Sequence, residues 1–100
     1  MNSYTPDRWV IVEIKSKNLT LRRVLGGWYG GFAIGDYWRM SSGITEVNDK
    51  GDYYEIANHS GSIYTCYKNA EGMSTYMSQI YKGYQKQTDD NISIELVKIT

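Results

Sequence analysis

RWVIVEIK, residues 8–15, decides the fold. Val10, Val12 and Ile14 fall on one side of a two-residue alternation, and Trp9, Ile11 and Glu13 on the other. Both sides are apolar enough to need cover, so the segment reads as a central strand. Ser16-Lys17-Asn18 supplies turn chemistry, and the alternation resumes from Leu19 to Leu25. Residues 8–25 therefore read as a β-hairpin. The other strongly apolar segment is ISIELVKI, residues 92–99, which is expected to pair antiparallel with 8–15. Just before it the period changes. Met73, Met77, Ile80, Tyr81 and Tyr84 recur at helical spacing. That stripe predicts a helix near 74–85, capped by Ser74, with Met77, Ile80 and Tyr81 packed on the sheet.

Between these anchors the chain is strand and turn. Residues 36–41, 44–47, 53–57 and 62–68 read as extended, separated by Ser42-Gly43, by Asn48 to Asp52 and by Asn58 to Gly61. GGWYGGFAIG, residues 26–35, holds five glycines and does not read as an ordinary strand interior. Residues 1–7, with Pro6, read as a frayed start. The expected fold class is α+β, mainly β. It is a single domain over residues 1–100, a bent antiparallel sheet or small open barrel of about six strands with one packed helix.

Composition narrows the function classes. Eleven Lys+Arg balance eleven Asp+Glu, which argues against a general nucleic-acid binder, whose affinity comes largely from neutralising phosphates. Apolar runs fall short of the roughly 18 residues a membrane span needs, and MNSYTPDRW has no secretory signal pattern. One cysteine and one histidine make no disulfide framework and no metal ligand set, so no cofactor is expected. Ten tyrosines and three tryptophans suit half-wet contact surfaces, although Tyr is also a good strand residue.

Two segments concentrate the chemistry. DYWRMSSGI, residues 36–44, carries Trp38, Arg39, Ser41, Ser42 and Gly43. NHSGSIYTCYK, residues 58–68, carries His59, Ser60, Gly61, Ser62, Tyr64 and Lys68. Arg39 and Lys68 suit a phosphate or carboxylate, and Ser hydroxyls with glycine amides suit anionic oxygens. Trp28, Tyr29 or Trp38 suits stacking on a ring. The parts fit a small anionic aromatic ligand such as a nucleotide, although Ser-Gly units are also ordinary turn residues. Since Trp38 and Arg39 are adjacent, a regular strand sends them to opposite faces. A bulge near Ser42-Gly43, or a ligand reached by one of the two, follows. Around His59 a hydrolase site is conceivable, but HSGSI is not a nucleophile elbow, so no catalytic residue is assigned.

WYGG at 28–31, GDYWRMSSGI at 35–44 and SGSIYTCYK at 60–68 resemble a family of small uncharacterised proteins of tailed bacteriophages, with W-R-[LM]-x-S-G-I followed by S-G-S-x-Y-x-C-x-K. The resemblance spans about the middle half of the chain and carries no activity with it. It implies a phage accessory protein in the host cytoplasm, and by analogy an anti-defence factor that binds a nucleotide signal. The competing expectation is a Tyr/Trp-rich module that blocks a host defence protein. The third is a small hydrolase centred on His59. A homo-oligomer is expected because so many aromatics exceed what a 100-residue interior hides.

Overall fold

The hairpin read over residues 8–25 is the spine of the structure, a computed structural model that describes residues 2–99. Its strands are β2 (Arg8–Lys15) and β3 (Thr20–Trp28), flanked by β8 (Ser93–Val97) on one side and β4 (Tyr37–Met40) on the other. This sheet runs β4-β3-β2-β8, antiparallel throughout. Ile11 lies opposite Val97 and Ile14 opposite Ile94, the pairing expected of the two most apolar segments. A second sheet runs β1-β7-β6-β5, built from β1 (Ser3–Tyr4), β5 (Ile44–Asp49), β6 (Tyr53–Asn58) and β7 (Ile63–Tyr67). A single helical turn, α1 (Gly31–Ile34), sits between β3 and β4. The long helix α2 (Thr75–Lys86) precedes β8. The fold is α+β and mainly β, with eight strands in two sheets of four among the described residues.

The layers follow from the two faces of β2. Trp9 and Ile11 pack with Val24 against Ile56, Tyr64 and Cys66 of the second sheet. Val10 and Val12 pack with Leu25 and Ile94 against Met77 of α2, joined by Ile80, Tyr81 and Tyr84. Each of the largest buried side chains contributes about 1.5–3 kcal/mol by leaving water. Glu13, on the same strand, is almost buried. It accepts from Arg22 Nε at 2.8 Å, with Lys15 Nζ at 3.4 Å. The Arg22 hydrogen bond holds its carboxyl below the ordinary value. Helix α2 starts where expected, with Ser74 Oγ accepting from Met77 N at 3.2 Å.

Three expectations give way to the structure. The sheet does not bend as one piece. The chain leaves β4 and enters β5 at Ser41 to Gly43, and that corner divides it into two sheets. Ser41 fixes the corner, since its Oγ accepts from Val24 N at 2.8 Å and donates to Ser42 O at 2.7 Å. The start of the chain is not frayed over its described residues. β1 pairs in parallel with β7, Tyr4 opposite Tyr64, and Pro6 is buried. Met1 lies outside the described residues. Finally, Gly26 and Gly27 are interior to β3, opposite Arg39 and Trp38. A Cβ at Gly27 would stand 2.5 Å from Met77 Sδ and 2.6 Å from Met77 Cγ, so the missing side chain is the seat of a helix residue.

Candidate functional site

Strand alternation sorts the two adjacent residues of β4. Trp38 faces α2, where its ring meets Tyr84 edge-on at 5.8 Å between centroids. Arg39 faces the second sheet, and its guanidinium carbon sits 4.4 Å from the centroid of the Tyr4 ring. Among the described residues Arg39 has no carboxylate partner; the ion pairs there join Glu13 to Lys15 and Arg22, Asp49 to Lys68, and Glu71 to Lys98.

In front of Arg39 lies an open recess of about 440 Å³ between the corner at Ser41-Ser42 and the β6–β7 turn. Its lining brings together Arg39, Ser41, Ser42, Ser60, Ser62 and Tyr64, six of the residues singled out in the sequence. Among the described residues no carboxylate lines it. The hydroxyls form a chain across the gap between the sheets. Ser42 Oγ donates to Ser60 Oγ at 3.0 Å and accepts from Ser60 N at 3.0 Å. Ser60 Oγ donates to Ser62 Oγ at 3.2 Å, and Asn58 Nδ2 donates to the same oxygen at 3.2 Å. Ser62 Oγ thus receives two donors and keeps its own proton for a further acceptor. Gly61, at φ 91°, makes the tight return that lets Ser60 and Ser62 share one rim.

Tyr64 closes the inner wall. It is fully buried, its hydroxyl oxygen lies beside the Arg39 guanidinium, and its own proton has no acceptor among the described residues. A buried hydroxyl proton left without an acceptor costs about 1–3 kcal/mol, so this one calls for an explanation. Burial pushes its pKa up to about 12, with the Arg39 charge pulling the other way, so the group stays a neutral donor at physiological pH. Arg39, Tyr64 and Ser62 can all donate, and the chemistry they suit is an oxygen-rich anion.

The remaining candidates stand elsewhere. Trp28 and Trp38 line a neighbouring recess, described below. Tyr29 is exposed, and its backbone N–H donates to Asp7 Oδ2 at 2.9 Å. Gly43 is buried in the corner, and its carbonyl accepts from His59 N at 2.8 Å. The His59 side chain is exposed, and among the described residues no hydrogen bond joins it to Ser60 or Ser62. Lys68 is engaged by Asp49 Oδ1 at 2.8 Å and lies over the Tyr54 ring, away from the serines. Gly61 of the second motif lines the recess as well, and sequence reasoning missed Asn2, Tyr4 and Met40, which complete its lining. Tyr4 had no local signal, because its place depends on pairing sixty positions away.

The chain matches no protein-family model, and neither a curated protein nor a solved structure shows significant similarity to it. Among the described residues no helix is long and apolar enough to cross a membrane.

Proposed function

We propose that this chain is a non-enzymatic binding protein that holds a nucleotide-like anionic small molecule in the serine recess. We propose further that it does so as a phage accessory protein in the host cytoplasm, sequestering a nucleotide signal used in host defence. One observation carries the binding reading: among the described residues, an arginine without an acidic partner and a buried tyrosine hydroxyl beside it, whose own proton has no acceptor, share one recess that no carboxylate lines. A bound anion would satisfy both. The test is isothermal titration with 5′-AMP, 5′-GMP and 3′,5′-cyclic AMP. At least one is expected to bind at one site per chain. Arg39→Ala is expected to weaken that binding by about 1.5–3 kcal/mol, and Arg39→Lys to recover only part of the loss. Wild-type affinity in folded Arg39→Ala, or no binding of any of the three, would remove the assignment. Multiple turnovers abolished by His59→Ala would favour a hydrolase instead.

A second reading rests on a different surface. Tyr29, Phe32, Ile34 and Tyr37 all present exposed apolar surface within nine residues around α1, and Phe32 is fully exposed. Such a patch is the kind used to contact another protein, in keeping with a module that blocks a host defence component.

A further inference from the structure

Arg39 and Tyr4 also line a second recess, of about 320 Å³, on the other side of the same two side chains. Its walls are Trp28 and Tyr37, with Ser3 and Thr5 of the first segment closing it. The Trp28 and Tyr37 rings are parallel to within 3°, with centroids 5.3 Å apart, an offset stack. Trp28 is held in place by its Nε1, which donates to Thr5 O at 3.1 Å. Tyr37 is the outer member of the stack, on edge strand β4, with nearly half of its surface open. The two recesses therefore differ in chemistry and share a wall. One offers hydroxyl donors, the other ring faces, and the guanidinium stands between them.

Resting on the binding reading above, we infer that the second recess takes the base of a 5′-nucleoside monophosphate: the ring extends the Trp28–Tyr37 stack while the phosphate reaches Arg39, Ser62 and Tyr64. Volumes of this size, one polar and one aromatic, suit a ligand with one anionic and one planar end. Among the described residues no charged side chain other than Arg39 lines the aromatic recess, so recognition there is by stacking and tolerates either purine. Cation–π contact with Tyr4 keeps the guanidinium at the junction, where it can meet the phosphate without leaving the ring.

The experiment compares 5′-AMP with ribose 5-phosphate, which carries the same phosphate and sugar without the base. Wild type is expected to bind 5′-AMP roughly tenfold or more tightly, the range of one base–aromatic stack. Tyr37→Ala is expected to reduce 5′-AMP to the level of ribose 5-phosphate and leave ribose 5-phosphate unchanged, and Tyr37→Phe to behave as wild type. In the wild type, 5′-AMP is expected to quench tryptophan fluorescence and ribose 5-phosphate is not. This second measurement decides the matter if Tyr37→Ala disturbs the fold. Equal affinity for the two compounds, or absence of base-dependent quenching, would overturn the base subsite and leave the anion site standing. Failure to bind either compound would overturn both.

Discussion

Cys66 shows how burial writes a pH dependence into one residue. It faces Trp9 and Ile56 between the sheets with no exposed surface, and burial pushes its thiol pKa up to about 12. The folded chain therefore keeps this proton where the unfolded chain, with an ordinary thiol near 9, releases it. Stability from the neutral thiol is intact below about pH 9 and is lost as pH rises towards 12. The loss is about 1.4 kcal/mol per pH unit in that window, or roughly 2 kcal/mol by pH 10.5. Tyr64 adds to the decline only above about pH 10, because its shift starts from the higher phenol value. Urea unfolding at pH 8 and pH 10 should show a falling midpoint for wild type. Cys66→Ala should start lower, from the small cavity, and fall less. Parallel declines in the two proteins would place the alkaline sensitivity elsewhere. Arg39 teaches a complementary lesson. Its type and its neighbours Ser41 and Ser42 were visible in the sequence, and so was the rule that Trp38 must face the other way. Which face opened onto the serine recess was not visible, because that depends on Tyr4 and Tyr64, distant in sequence from β4.

Helix α2 meets its sheet through one interlocking pair. Gly27 has no side chain, and fully buried Met77 fills that space. The backbone of Gly27 is not left-handed, so alanine suits it conformationally. The cost of Gly27→Ala should come from collision with Met77 alone, about 1–3 kcal/mol of overpacking. In a Met77→Ala background the same substitution should cost little or even stabilise, since the added methyl group enters the space vacated by Met77. Thermal or urea denaturation of the four proteins gives the coupling, and additive effects would mean that the pair does not interlock. The elements legible in the sequence were those whose signals are periodic and local. β2 displayed two apolar faces, α2 a helical stripe with Ser74 at its head, and Asn48 to Asp52 a hairpin turn. Illegible elements owe their existence to distant partners. β3 continues through Gly26 and Gly27 because Pro6 and Met77 occupy the space above those glycines. β1 exists only by pairing with β7.

At the scale of the whole molecule, two four-stranded sheets and one helix leave several aromatics uncovered, Tyr29, Tyr37 and Tyr67 among them, together with Phe32 and Ile34. As an alternative to contact with a host protein, we propose that Phe32 and Ile34 of this surface join two copies of the chain. Light scattering at micromolar concentration should give about twice the 11.5 kDa chain mass. Phe32→Ser should return the chain mass, because serine removes the most exposed apolar side chain without touching the core. A wild-type mass of 11.5 kDa would exclude self-association at that concentration and leave the patch to a different protein. The two-residue strand β1 carries a consequence for assembly order. The recess needs Tyr4 from the beginning of the chain, Arg39 from the middle and Tyr64 from well beyond it. Bringing such remote segments together involves slow, non-local closure. The helix-covered sheet has its own core and does not use β1. A folding chain can therefore possess most of its final architecture before Tyr4 completes the recess, and the proposed binding would wait on the docking of β1.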